Sequence, residues 1–579
     1  MDQFMDMDRR RVLESYLKKG HADLVLTNGN LINVYTKEIL NGYSVAIKDR
    51  WIIRVDKDVS SVIGPETLCL DVEGKYIVPG FIDGHAHILS YCHPQEILYE
   101  VAKRGVTTVV TELLDLSFKV DLEGMEEYLE ATKGAPCKVF ATIPVFITLS
   151  EASKKRTPEF EKILNLLKRE DVLGLGESFW QEVLRGHELF FRLAPYALRM
   201  RKTIEGHSAG CKGEKLQIYA FTGVSSCHEP ISYEEVVERL RLGLYVMVRE
   251  GSVRSDIGCL AELKRSGLDT RRIILVSDFM SPEEILSKGY MEYVVSRAID
   301  NGIDPVSAIQ MVTLNPASHF GLDNVLGGIA PGKYADLVVS PSLTKIEPQT
   351  VISGGRIVVE NGNSIGLKER KPLRLQGFKR PFIKTQDLII RAPKRERVKV
   401  RLVEQVTDLI TRESIKEIVP KDGELTPNPE EDILRLSYVT TEGCYNYLIK
   451  SFGLKTGALA TSSLWEAYGV LAVGVRIDDL CIAINRIIEL GGGIVIVDEG
   501  RIVEELPLPI GSLISDLPFE EVAKRISFIN GEAKKRGVRW NKPIMTLETL
   551  TTPAIPFLRV SDRGLVDLRQ KEALSFIVD

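Results

Sequence analysis

Apolar residues in this chain come in short runs, and the texture of the runs changes along its length. Residues 8–20 have the spacing of a short amphipathic helix. Runs at 22–28, 31–34, 43–48, 51–55 and 67–71 are rich in β-formers and bounded by turn residues, so they predict strands. Asn28-Gly29-Asn30 separates the first two and predicts a hairpin. From residue 78, short apolar runs alternate with helical patterns. Strand runs lie at 79–82, 107–111, 138–143, 172–176, 203–205, 223–226, 245–248 and 273–277. Helical spacing appears at 94–104, 125–132, 158–169, 184–200 and 233–242, with further helices at 288–302 and 305–312. This repetition of β-then-α units predicts a (β/α)8 barrel.

Strand patterning returns over 325–364, at 335–339, 350–353 and 356–360. This block can pair with the N-terminal strands into one small β-domain beside the barrel. The expected organisation is therefore an N-terminal β-segment (1–77), the barrel (78–324), a returning β-segment (325–370), a Lys-, Arg- and Pro-containing linker (371–400) and a C-terminal α/β domain (401–579). The last includes a hairpin formed by 493–497 and 501–503 around Asp498-Glu499-Gly500. Leu-Pro-Leu-Pro-Ile at 506–510 cannot be a central strand, because proline has no N–H for the ladder. The fold class expected is α/β.

Composition narrows the function classes. The 579 residues are 44% hydrophobic and carry a net charge of −5. That balance gives no electrostatic reason to expect nucleic acid or an anionic membrane as partner. The first eleven residues are charged and lack the apolar core of a secretory signal, and no apolar run approaches the ~18 residues of a membrane span. The eight cysteines form no Cys-x-x-Cys pair. They read as reduced thiols of a cytoplasmic protein. Cys92, Cys211 and Cys227 lie near the candidate ligands, and chance placement in loops accounts for them.

The chemistry sits at strand ends. His85 and His87 close the first barrel strand, and in extended backbone residues i and i+2 face the same side. Glu177 ends the fourth strand, His207 the fifth, His228 the sixth and Asp278 the eighth. C-terminal strand ends of a barrel converge on one mouth, where active sites form. Four imidazoles and two carboxylates there suit two divalent ions, Zn, Mn or Fe. Glu177 is the natural bridging carboxylate. Asp278 can ligate one ion and carry the proton of an attacking water. Glu229 and Glu205 are further candidates for proton transfer or substrate positioning. His93 could reach the mouth from the first loop, whereas His187 and His319 sit in helical patterns and His21 lies outside the barrel. Such a site hydrolyses an electrophilic sp² carbon of an amide, a lactam or an amidine-like ring.

The order His-x-His, Glu, His, His, Asp resembles the amidohydrolase superfamily, and more closely its adenine deaminase family. The resemblance is carried by Val78–His87, Arg104–Val110, Gly174–Glu177, Glu205–Gly210, Ser226–Glu229, Tyr245–Ser252, Thr313–Ala317 and Gly332–Val339. It continues in the C-terminal part through Gly491–Val497, Glu505–Ile510 and Asp562–Asp567. It implies a dinuclear Mn or Fe centre and hydrolysis of adenine to hypoxanthine and ammonia, with a homo-oligomeric assembly.

Two runs depart from the family's usual residues. Ile88-Leu89-Ser90-Tyr91-Cys92 follows the His-x-His, and Trp465-Glu466-Ala467-Tyr468-Gly469 stands in the C-terminal part. Both introduce larger or aromatic side chains, which suits a related purine such as an N6-substituted adenine. Tyr91, Phe179, Trp180, Trp465 and Tyr468 could stack on a planar ring. The alternatives are a cyclic amide hydrolase on the same barrel, and a metal-binding paralogue without turnover. Glu177 stands where many cyclic amide hydrolases carry a carboxylated lysine, which argues against the first. Retention of Asp278 argues against the second.

Overall fold

The computed structural model of the protein describes residues 2–18, 20–366, 370–570 and 572–578. Residue 19 of the expected N-terminal helix and residues 367–369 of the expected returning segment lie outside the described residues. The helix itself runs Asp2–Leu17.

Leu24–Asn33 is one continuous strand, not the two expected on either side of Asn28-Gly29-Asn30. The dipeptide makes a bulge instead of a hairpin. Asn28 takes a φ of 62°, and pairing with Glu38–Lys48 shifts register between Leu26 and Gly29. Gly29 is required because a Cβ there would lie 2.3 Å from Ile77 Cδ1. The turn falls five residues later, where Asn33 Oδ1 accepts the amides of Tyr35 and Thr36.

A nine-stranded sheet joins the two β-segments. Tyr76–Pro79, just before the barrel, pairs antiparallel with Leu337–Ser340, just after it. Thr350–Ser353 and Arg356–Glu360 extend the sheet outward.

All eight barrel strands are present and parallel. Phe81–Ala86, Val106–Glu112, Lys138–Ile143, Val172–Phe179 and Thr203–His207 form one sheet of five. Ser226–Cys227, Tyr245–Arg249 and Ile273–Val276 form a sheet of three. The two sheets meet at two seams. At one, the Ser225 amide donates to Ile204 O at 2.9 Å. At the other, His87 N donates to Asp278 O at 2.6 Å and Asp278 N to His85 O at 3.1 Å. The central strands are buried along their whole length, which explains why they read as continuous apolar runs instead of alternating ones.

The stretch expected as a linker has no regular structure over 370–384, yet it buries Leu373, Leu375 and Phe378 in a core shared with the barrel and the C-terminal domain. That domain is built on a second nine-stranded sheet, packed by the helices Ile477–Leu490 and Phe519–Lys535. Gly493–Asp498 and Arg501–Pro507 form the expected hairpin, and the proline-bearing strand lies at the sheet edge. Ile514–Ser515 pairs in parallel with Tyr91–Cys92, directly after the first barrel strand. The C-terminal domain therefore reaches the barrel mouth. Among the described residues, no helix is long and apolar enough to cross a membrane.

Candidate active site

The expected ligands converge as the strand ends predict. Side-chain atoms of His85, His87, Glu177 and Asp278 lie within 4.8 Å of one another, and so do those of Glu177, His207 and His228. Glu177 belongs to both groups. Its Oε1 is 3.5 Å from His85 Nε2, 3.2 Å from His87 Nε2 and 3.5 Å from His228 Nε2. Asp278 Oδ1 lies 3.5 Å from His85 Nε2 and 3.6 Å from His87 Nε2.

Backbone geometry explains the aim of Asp278. Its two main-chain bonds to the first strand close the barrel and hold it at φ 59°, a left-handed conformation that aspartate tolerates better than most residues. The carboxylate is thereby turned toward the mouth. Arg249, at the end of the seventh strand, places NH1 3.4 Å from Asp278 Oδ2 and is itself paired with Asp256 at 2.8 Å.

Dense opposite charge sets the protonation of the cluster. Burial opposes a charged His85, but Asp278, Glu177 and Glu112 outweigh it and push its pKa up to about 10. His87 is raised in the same sense, against burial, by Asp115 and Glu177. Burial also opposes the charge on Glu177, and the His85 and His87 rings beside it hold it well below the usual carboxylate range. Asp278 is likewise held low, against burial, by His85 and Arg249. His228 moves the other way, because burial penalises its cation. So much concentrated anionic charge favours bound cations at the cluster. His85 Nε2 is buried and has no hydrogen-bond partner.

Supporting residues that the sequence did not signal complete the cluster. Asp115, on the turn after the second strand, meets His87 Nδ1 at 3.2 Å. Glu112, at the end of that strand, lies 3.6 Å from His85 Nδ1, and burial raises its pKa to about 7. A carboxylate opposite the second ring nitrogen fixes an imidazole's tautomer and orientation. Neither residue carries a periodic or motif signal; only their position at a strand's C-terminal end could have raised them.

Glu229 touches the cluster but does not line the cleft. Its Oε1 lies 2.5 Å from His228 Nε2 and 3.3 Å from His207 Nε2, while Oε2 accepts the Ser208 amide. Glu205 is elsewhere, buried against His319 at 2.9 Å and Ser226 at 2.6 Å. His93 and His187 cap helices, and neither enters the cleft. Cys227 and Cys211 are buried beside Arg239.

The cleft is narrow, with a cavity volume of about 60 Å³. Five of the six metal-ligand candidates, His87, Glu177, His207, His228 and Asp278, line it, and His85 does not. Tyr91, Phe279, Trp465 and Glu466 contribute to its walls, together with Ala554 and Ile555. Of the expected stacking residues, Tyr91 and Trp465 therefore face the cleft. Phe179 packs edge-on against His207 at 4.8 Å, and Trp180 lines a neighbouring groove. Tyr468 packs against Phe378, outside the cleft.

A barrel flanked by a β-domain from both chain segments, with this constellation at its mouth, defines an amidohydrolase, and the Amidohydrolase family model matches residues 76–358. The Adenine deaminase C-terminal domain model matches residues 408–572. The chain is 34% identical to an adenine deaminase of Moorella thermoacetica, over 96% of each chain. It is 31% identical to one from Clostridium botulinum, again over 96% of each, and 34% identical to adenine deaminase 1 of Carboxydothermus hydrogenoformans, over 97% of this chain and 96% of that one. The chain belongs to the adenine deaminase family.

Proposed function

We propose that the chain is a two-metal aminohydrolase that removes the amino group of adenine or a related 6-aminopurine, releasing ammonia and leaving hypoxanthine when adenine is the substrate. The observation that carries this is the sharing of Glu177 between two histidine groups, one of which includes Asp278. The likeness to adenine deaminases over nearly the whole chain supports the choice of substrate.

His85, His87, Glu177 and Asp278 would hold one ion, and Glu177, His207 and His228 the other. The fit rests on the mixed imidazole and carboxylate donors and on the buried, unpartnered Nε2 of His85. Zn, Mn and Fe all suit this donor set, and the likeness to adenine deaminases favours Mn or Fe. Bound ions of this kind make water acidic enough to supply a nucleophile at neutral pH.

The protein's own groups do the rest. Asp278 takes a proton from the attacking water as its oxygen bonds to the purine C6. It returns that proton to the amino nitrogen as the C6–N bond breaks and ammonia leaves. Arg249 keeps Asp278 ionised and oriented through the 3.4 Å contact. Tyr91, Trp465 and Phe279 offer flat apolar surface to the ring. Glu229, held by the Ser208 amide, orients His207 and His228.

The test is amine release by Mn- or Fe-loaded protein across adenine, N6-methyladenine and a cyclic amide. Ammonia from adenine, or methylamine from N6-methyladenine, is expected. Ring opening of the cyclic amide with no amine released from any purine would defeat the proposal.

A further inference from the structure

We infer that Glu466, supplied by the C-terminal domain, is a specificity-determining residue that accepts a hydrogen bond from the imidazole-ring N–H of a free purine base. The inference rests on the aminopurine reading above and names what selects the substrate within it.

The observations concern one carboxylate. Glu466 is 4% exposed and lines the cleft. Its Oε2 is buried without a hydrogen-bond partner. Among the described residues, the carboxylates facing the ring nitrogens of the four cluster histidines are Glu112, Asp115, Glu177, Glu229 and Asp278. Glu466 is not among them, so its free oxygen is not committed to the metal ligands. Burial pushes the Glu466 pKa up to about 8, and a ligand that donates to its unpaired oxygen offsets the cost of that burial.

Its position is fixed from outside. Glu466 has a φ of 47°, an uncommon conformation for a residue with a side chain. The barrel loops hold it there. Lys119 Nζ donates to Leu464 O at 2.6 Å, Thr148 Oγ1 to Glu466 O at 2.6 Å, and the Tyr468 amide to Ser153 Oγ at 3.0 Å. Thr551 Oγ1 donates to Trp465 O at 2.8 Å. A segment so tethered, in a strained conformation, presents an aromatic face and a carboxylate side by side.

That pair matches a planar heterocycle with an N–H on its edge. A 6-aminopurine base has two kinds of donor. The exocyclic amine belongs at the reacting carbon, against Asp278 and the histidines. The remaining donor is the imidazole-ring N–H, which a base carries and an N9-substituted purine has lost. A carboxylate set apart from the ligand cluster would therefore separate bases from nucleosides, because a buried acceptor left unpaired penalises the analogue that lacks the donor.

The test compares adenine with 9-methyladenine on metal-loaded wild type, Glu466→Ala and Glu466→Gln. Wild type should prefer adenine in kcat/KM by about tenfold to a hundredfold, the range for leaving a buried acceptor unpaired. Glu466→Ala should lose that factor on adenine alone, bringing the two substrates level, and Glu466→Gln should recover part of it. Metal content equal to wild type separates this from a folding defect. If wild type already accepts both substrates equally, or if the variants slow both by the same factor, the inference is overturned while the aminopurine reading stands. If wild type releases no amine from any purine, both fall.

Discussion

Replacing Asp115 by alanine should weaken one metal position and spare the other. Asp115 faces His87 Nδ1 with both oxygens, at 3.2 and 3.3 Å, while Nε2 of the same ring lies 3.2 Å from Glu177. The carboxylate therefore decides which nitrogen carries the proton and which faces the cluster. His87 is the most exposed of the four imidazoles, with 13% of its side chain accessible, so packing alone does not lock the ring. Loss of such an orienting group costs about 10- to 100-fold in metal affinity, or ~1.4–2.7 kcal/mol. His207 and His228 have no contact with Asp115 among the described residues, so their position should keep wild-type affinity. The assay is metal content after equilibration against graded chelator. Wild type should lose its two equivalents over one range, whereas Asp115→Ala should release one of them at roughly 10- to 100-fold higher free metal. Asp115→Asn, which keeps an acceptor without the charge, should fall between. Retention of both equivalents at wild-type affinity in the alanine variant would refute this account of His87.

Glu548, behind Tyr91, should make stability depend on pH. Burial raises its pKa to about 8, and Tyr91 OH donates to it at 2.6 Å. The folded protein then binds a proton that the unfolded chain has released above about pH 4.3, so stability falls as pH rises from there to about 8 and levels off beyond. Glu548→Gln should remove this loss, ~5 kcal/mol at most, and the gap between the two melting curves should widen with pH. A gap independent of pH would contradict the reading. Arg239→Met should destabilise by about 3 kcal/mol or more, because it leaves Ser208 O, Cys211 O and Glu235 O, all bound by the fully buried guanidinium, without that donor. Urea unfolding checks this, and a midpoint within error of wild type would contradict it.

The parts of the site legible in the sequence are those governed by strand geometry. His85 and His87 share a face because strands alternate. Glu177, His207, His228 and Asp278 could be placed because each ends an apolar run, and parallel strands end together. The supporting residues had no such signature. Asp115 and Glu112 meet the histidines only through the barrel's curvature, and Glu466 arrives from a domain whose strands begin more than a hundred residues after the barrel's last. Tertiary pairing also decided what local signals could not. Asn28-Gly29 is a hairpin signal that became a bulge, because Leu24–Asn33 is held by strands on both sides and Gly29 must admit Ile77. The stretch after 370 looked like a solvated linker from its lysines and arginines, but its leucines fill the seam between two domains.

The central claim is that two ions share Glu177 and that Asp278 moves the proton. It is tested most directly by titrating metal into metal-free wild type and Asp278→Asn while following ammonia release from adenine. The account predicts wild-type turnover that rises with the second equivalent bound, and an Asp278→Asn protein that still binds metal but turns over at least about a hundredfold more slowly. Full activity at one equivalent, or wild-type-like turnover in Asp278→Asn, would contradict it.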